Sequence, residues 1–226
     1  MHAECRSSLK ALDEDENVRA IIVTNNGKRF YAGADSLALD AVKKKGYGFA
    51  EKEQLVWPGA GISEDFRTSF ADHYGLSKPL VAAINGPVAG VGPVIARDAD
   101  IWFLVSGVNF TTSDEWFNFL AEFEPLFILP KVIGQGRASD LFIISRIFLS
   151  DEVYEFALED CLAPRNGLMN PTRARVQHML TTVSDRSLQG SRHQIYRDCI
   201  EISLAQWRKR KINSGHEERP RVRRRL

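Results

Sequence analysis

Apolar positions in the first half of this chain fall into short unbroken runs, and towards the C-terminal end they spread out at helical spacing. Val18-Arg19-Ala20-Ile21-Ile22-Val23-Thr24 and Pro79-Leu80-Val81-Ala82-Ala83-Ile84 are of strand length and rich in β-branched and small residues. Both predict short strands of a parallel sheet, buried on two faces. Before the first, residues 2–12 predict a helix and Asp13-Glu14-Asp15-Glu16-Asn17 a charged, solvated turn with no metal-binding role. Leu188 to Ser203 predict a long C-terminal helix.

Each apolar run breaks into a turn of small residues. The first leads to Phe30-Tyr31-Ala32-Gly33-Ala34-Asp35, the second to Asn85-Gly86-Pro87-Val88-Ala89-Gly90-Val91-Gly92. Small side chains leave the amides of Ala34 and Val91 open to a ligand, and Pro93 suits the first turn of a helix starting there. Such a helix would add positive potential at its N-terminus. Two amides converging on one carbonyl oxygen form an oxyanion hole. Either turn alone is also what an ordinary strand-to-helix junction of an α/β domain provides; the pair carries the functional reading. Asp35 fits a helix cap better than chemistry.

The joint pattern F-x-A-G-A-D from Phe30, K-P-x-x-A-A-I-N-G-P-x-x-G-x-G from Lys78, and D-I-x-F from Asp100 resembles the crotonase superfamily, in particular the enoyl-CoA hydratase/isomerase family. The likeness continues through Phe110-Thr111-Thr112 and Leu129-Pro130-Lys131-Val132-Ile133-Gly134 to a helix near Ala138, with a weaker match from Arg186 to Arg197. It implies an α/β crotonase-like (ClpP/crotonase) spiral of repeated ββα units, with residues 1–165 as core and 166–206 as a helical C-terminal region. It also implies an acyl-CoA thioester as substrate, no metal or redox cofactor, and assembly into a homotrimer or a dimer of trimers. By the same resemblance, the thioester carbonyl sits between the amides of Ala34 and Val91, and Ala32, Gly33 and Gly90 lie along the bound CoA.

The acid/base positions separate the reactions of such a family. Well-studied hydratases place one glutamate inside the helix after the second turn, where this chain has Val94, and another where it has the shorter Asp114. A hydratase built on that pair is therefore disfavoured. Isomerases and some hydratase-like relatives use a single glutamate at the position of Glu122. One partly buried carboxylate with a raised pKa can shuttle a proton between two carbons of an acyl chain. Glu122 is thus the expected base; alternatively, with Glu115 and Glu124, it belongs to a solvated helical face. Phe123-Glu124-Pro125 then departs from the glycine that usually follows, Arg97 and Asp98 replace apolar residues, Trp102 replaces an arginine, and Ala157 replaces a helix-ending glycine. These departures keep open a second reading, a catalytically silent homologue that binds CoA thioesters or acts as a scaffold. The family's usual first strand is also missing from the pattern, since the chain opens on the helix that follows it.

Composition narrows the class further. With 226 residues, 44% of them hydrophobic, the chain can bury one sizeable core. Its longest apolar run is far short of a bilayer span and no signal peptide precedes it, so no membrane association is expected. Cys5, Cys161 and Cys199 have neither metal spacing nor an even count, which suits free thiols in a reducing, cytoplasmic compartment. Between the turns, Trp57, Phe66 and Phe70 are candidates for acyl-chain contact or simply core, and Lys43-Lys44-Lys45 for CoA phosphates or a solvated face.

Charge is segregated. From Trp207 onward nine Lys/Arg stand against Glu217 and Glu218, a surplus of seven positive charges, so the preceding residues carry six net negative charges within the overall +1. Residues 207–226 read as a flexible basic tail that could reach the 3′-phosphate of CoA in a neighbouring subunit; a nucleic-acid role is disfavoured. Arg224-Arg225-Leu226 also loosely resembles a peroxisomal targeting tripeptide.

Overall fold

A computed structural model of the chain describes residues 2–32, 44, 73–89, 99–111, 130, 131, 133–144, 146–155 and 161–213. In chain order these form α1 (His2–Glu14), β1 (Ile21–Val23), β2 (Tyr31–Ala32), β3 (Leu80–Ile84), β4 (Val88–Ala89), β5 (Ile101–Val105) and β6 (Asn109–Thr111). They continue with α2 (Gln135–Ile144), β7 (Phe148–Leu149), α3 (Ser150–Glu155), β8 (Cys161–Ala163), a short 3₁₀ turn (Arg165–Gly167), α4 (Met169–Thr182) and α5 (Asp185–Asn213). The helix expected to end near Leu12 runs to Glu14, so Asp13 and Glu14 are helical and the turn begins at Asp15. The last helix runs to Asn213, past the boundary at residue 206 that the change in charge suggested.

Two sheets share the strands in alternation. One has the order β1-β3-β5-β8 and is parallel throughout; the other has the order β2-β4-β6-β7, with only β7 antiparallel. After each of β1, β3 and β5 a short turn delivers the next strand to the second sheet, and a longer connection returns the chain. Thus β1 is followed by β2, β3 by β4 and β5 by β6, each successive pair being one step of a spiral. The turn between β5 and β6 needs a left-handed residue, which Gly107 supplies at φ 71°.

Burial follows the apolar runs. All five residues of β3 and four of the five in β5 are buried, as expected for parallel strands covered on both faces. Trp102, which stands in β5 beside Ala82 of β3, is buried in this core. An apolar side chain there removes the need for the ion partner that a buried arginine would require. Phe110 and Phe148 stack across β6 and β7 with ring centroids 5.5 Å apart. From the helices, Leu9, Ala138, Leu141, Val153 and Val176 close the same cluster.

Polar residues fasten the outer elements. The Asp13 carboxylate accepts the Ser77 N–H and the Lys78 N–H, at 2.9 and 3.1 Å. The Lys78 ammonium, buried, donates to the carbonyls of Leu12, in the last turn of α1, and Asp15, just past it, so a cation serves the C-terminal end of α1. Arg192 of α5 does the same for the segment before β3. Its guanidinium donates to the carbonyls of His73 (2.7 Å), Tyr74 (2.9 Å) and Leu76 and to the carboxylate of Asp100 (3.0 Å), and it lies over the Tyr196 ring.

Arg146 bridges Asp140 of α2 and Glu152 of α3, at 2.6 and 2.8 Å. The hydrogen bond from Arg146 holds the Glu152 carboxyl below its ordinary value, with partial burial opposing and the Leu149 N–H helping. A folded-state pKa depressed in this way stabilises the protein above the unfolded value near 4.5, and the gain is lost as pH falls through the lower folded value. Glu152→Gln should therefore lower stability at pH 7 by less than about 1 kcal/mol, because the pair is about a third exposed. The difference from wild type should disappear in acid. Urea midpoints measured from pH 7 down to pH 3 check this; a difference that persists at low pH would assign the effect to packing.

Candidate functional site

The residues singled out as catalytic or ligand-binding follow β2, β4 and β6 in the sequence. These are three adjacent parallel strands, with Tyr31 beside Val88, Ala32 beside Ala89, and Ala89 beside Thr111. The chain leaves them at Ala32, Ala89 and Thr111, so the segments beginning at residues 33, 90 and 112 start from one edge of one sheet. At the ~4.8 Å spacing of neighbouring strands, the three departure points lie within roughly 10 Å. That is the carboxyl-terminal edge, where open α/β sheets bind their ligands.

Gly33, Ala34, Gly90, Val91, Asp114 and Glu122 themselves lie outside the described residues, as do Asp35, Pro93, Val94, Arg97, Asp98, Trp57, Phe66, Phe70 and Ala157. Ala32 is described and ends β2.

What joins the two turns is visible in detail. Pro87 places its carbonyl between the N–H groups of Phe30 and Tyr31, which donate to it at 3.1 and 3.3 Å. Gly86 lies against the backbone of Lys28 and Arg29, so closely that a Cβ there would come within 2.2 Å of the Lys28 carbonyl oxygen. The Asn85 side chain donates to the carbonyls of Asn25 (2.6 Å) and Gly27 (2.9 Å). Asn25 in turn donates to the Phe30 carbonyl at 3.1 Å and accepts the Gly27 N–H at 2.9 Å. The sequence marks Asn85-Gly86-Pro87 as a turn; that it is also the clasp on residues 25–31 follows only from the contacts. Arg192 carries no local signal, since its partners, the carbonyls of His73, Tyr74 and Leu76 and the carboxylate of Asp100, are far off in the chain.

Elsewhere, a cavity of about 290 Å³ opens between Asp13, Glu16, Arg19, Lys78, Asp185 and Gln189. It sits at the amino-terminal end of β1 and β3, away from the departure edge. Its cations are already engaged: Lys78 serves carbonyls and Arg19 pairs with Asp185 at 2.6 Å. Burial raises the Cys5 thiol above its ordinary pKa, which favours the unreactive protonated form. Among the described residues no group of three or more His, Cys, Asp or Glu could hold a metal ion, and no helix is long and apolar enough to cross a membrane.

A spiral in which successive strand pairs feed two sheets, closed by C-terminal helices, is the crotonase fold. A crystal structure of an enoyl-CoA hydratase/isomerase from Pseudoalteromonas atlantica T6c superposes with a TM-score of 0.75 at 21% identity, covering 93% of this chain and 78% of that one. The sequence model of the enoyl-CoA hydratase/isomerase family matches residues 1–198, and the chain belongs to that family. It is 28% identical over 182 residues to a Thermus thermophilus protein provisionally named an enoyl-CoA hydratase, and 25% identical over 189 residues to 1,2-epoxyphenylacetyl-CoA isomerase of Escherichia coli. The matches cover 76% and 80% of this chain but 66% of each relative, so the chain spans slightly less than two thirds of their length.

Proposed function

We propose that this protein is an enzyme acting on acyl-CoA thioesters, with the amides of Ala34 and Val91 as its oxyanion hole and Glu122 as its acid/base. One observation carries the proposal: the segments bearing these residues depart from three adjacent strands at one sheet edge. The two relatives named above share a CoA thioester in their names and differ in reaction, which leaves the chemistry to the side chains.

Glu122 alone suffices for an isomerase. Its carboxylate removes a proton from C2 of a 3-enoyl thioester, and the electron pair moves onto the carbonyl oxygen between the two amides. The proton returns to C4 as the enolate collapses, and the double bond passes from C3–C4 to C2–C3. No redox partner or metal takes part in this balance. Asp114 is the nearer match to a second hydratase carboxylate, and its shorter side chain together with Val94 argues for isomerisation over hydration. Residues Ala32, Gly33 and Gly90 would run along the CoA moiety, where the absence of bulk lets backbone approach the ligand.

Turnover of 3-enoyl-CoA and 2-enoyl-CoA by wild type and Glu122→Gln tests this. Loss of a positioned acid/base should lower kcat by about 100-fold or more. If the wild type turns over neither substrate at any chain length, the enzyme reading fails. Val94, standing where a hydratase has its first glutamate, favours a second reading in that event, a silent CoA-thioester-binding homologue. Tight binding without turnover in both proteins would establish it.

A further inference from the structure

The geometry points to Asn85 as a positioning residue that ties the chain before β2 to the chain before β4, the two strands that lead to the proposed oxyanion amides; the inference rests on the function proposed above. Its side-chain N–H groups reach two carbonyls of one loop, those of Asn25 and Gly27. The amide cannot be turned over, because its oxygen would then face both carbonyl oxygens. In the orientation present, Oδ1 is enclosed and has no hydrogen-bond partner among the described residues. Among those residues, the hydrogen bonds of this side chain go to the Asn25 and Gly27 carbonyls.

Those residues lie just before β2, and Asn85 lies just before β4. The loop is rigid within itself, since Asn25 spans from the Gly27 N–H to the Phe30 carbonyl. Force on the Asn25 and Gly27 carbonyls is thus passed to Phe30 and Tyr31, whose N–H groups share the Pro87 carbonyl. β4 is held by β6 on its other side, but β2 is an edge strand of two residues with one short ladder, to β4, too little to fix its outgoing end alone. Asn85 adds a second attachment upstream of that ladder and so helps to fix how β2 lies against β4, the strands after which the proposed oxyanion residues follow in the chain.

A displaced donor weakens stabilisation of the transition state more than binding, and a misplacement of about 1 Å by a change outside the chemistry can cost about 100-fold. The experiment uses the full chain and butanoyl-CoA labelled with ¹³C at the carbonyl, a saturated thioester that neither reaction consumes. Binding to wild type should move the carbonyl stretch to lower frequency, the mark of polarisation. Asn85→Ala should bind butanoyl-CoA with little change in Kd, lose most of that shift, and lower kcat on the active enoyl-CoA by about 100-fold with KM nearly constant. Thr24→Val serves as the comparison, because the Thr24 hydroxyl joins the end of β1 to the Ala83 carbonyl at 2.9 Å without touching either turn. It should lower stability while the carbonyl shift and kcat stay as in wild type.

Retention of the full shift and kcat in Asn85→Ala would overturn the inference, even with a lowered Tm. If that variant does not fold, Asn85→Gln, which keeps both donors on a longer stem, should show a reduced shift and kcat; wild-type values there would overturn it equally. Absence of any shift in the wild type would overturn the oxyanion hole itself, and with it this role for Asn85.

Discussion

Arg192→Met is expected to destabilise the protein by roughly 3–5 kcal/mol, the usual cost of removing one partner of a buried ion pair. Arg192 is 4% exposed and serves four acceptors at once, three of them backbone carbonyls at residues 73, 74 and 76. The fourth, Asp100, already accepts the Leu80 N–H at 2.7 Å, and without the guanidinium its carboxylate keeps only that donor among the described residues. Methionine fills much of the volume and supplies none of the hydrogen bonds. At the few degrees per kcal/mol usual for this size, Tm should fall by about 10 °C. A double-mutant cycle with Asp100→Asn separates the ion pair from the carbonyls, since the coupling energy belongs to the pair alone. A loss below about 1 kcal/mol would mean that solvent reaches these carbonyls in place of the arginine.

Gly86→Ala should cost about 3 kcal/mol or prevent folding, at the upper end of what overpacking does. The added methyl would meet the Lys28 oxygen at 2.2 Å and the Arg29 Cα at 2.9 Å. Both are backbone atoms that no rotamer change can move aside. The only relief is to separate residues 28–31 from 85–88, which strains the hydrogen bonds from Phe30 and Tyr31 to Pro87. Because that seam lies between the two turns, any folded fraction should also lose turnover, whereas in Arg192→Met the remaining folded protein should keep it. Chemical denaturation together with kcat on folded protein distinguishes the two variants. Wild-type stability in Gly86→Ala would show that the two segments can part without cost.

Two strands and three helices were legible in the sequence, whereas β5 to β8 and α3 had no predicted counterpart. A buried parallel strand is apolar along its whole length, and the runs at residues 18–24 and 79–84 became β1 and β3, trimmed by a few residues at their ends. The helix near Ala138 and the C-terminal helix also formed where expected, because helical spacing and the family pattern are local properties. The two-residue strands β2 and β4 carry almost no periodicity of their own, and the small residues of the turns marked them only indirectly.

The candidate residues were chosen by motif, and the motif holds residue types without their arrangement. That Ala32 stands beside Ala89, and Ala89 beside Thr111, is a matter of register between strands far apart in the chain. Asn85 illustrates the limit well. Its identity suggested a turn, since asparagine bonds readily to nearby backbone, yet its partners are the distant carbonyls of Asn25 and Gly27.

The sequence by itself determined the class of fold, through its family pattern, and the apolar runs that became β1 and β3, because burial of a strand acts through local composition. Only the tertiary structure decided which strands pair, that Gly86 must lack a Cβ, that Asn85 spends its donors on remote carbonyls, and that Arg192 divides its own between remote carbonyls and Asp100. The reason is physical: a backbone carbonyl looks the same at every residue, so no sequence pattern can name the one that a folded side chain will reach.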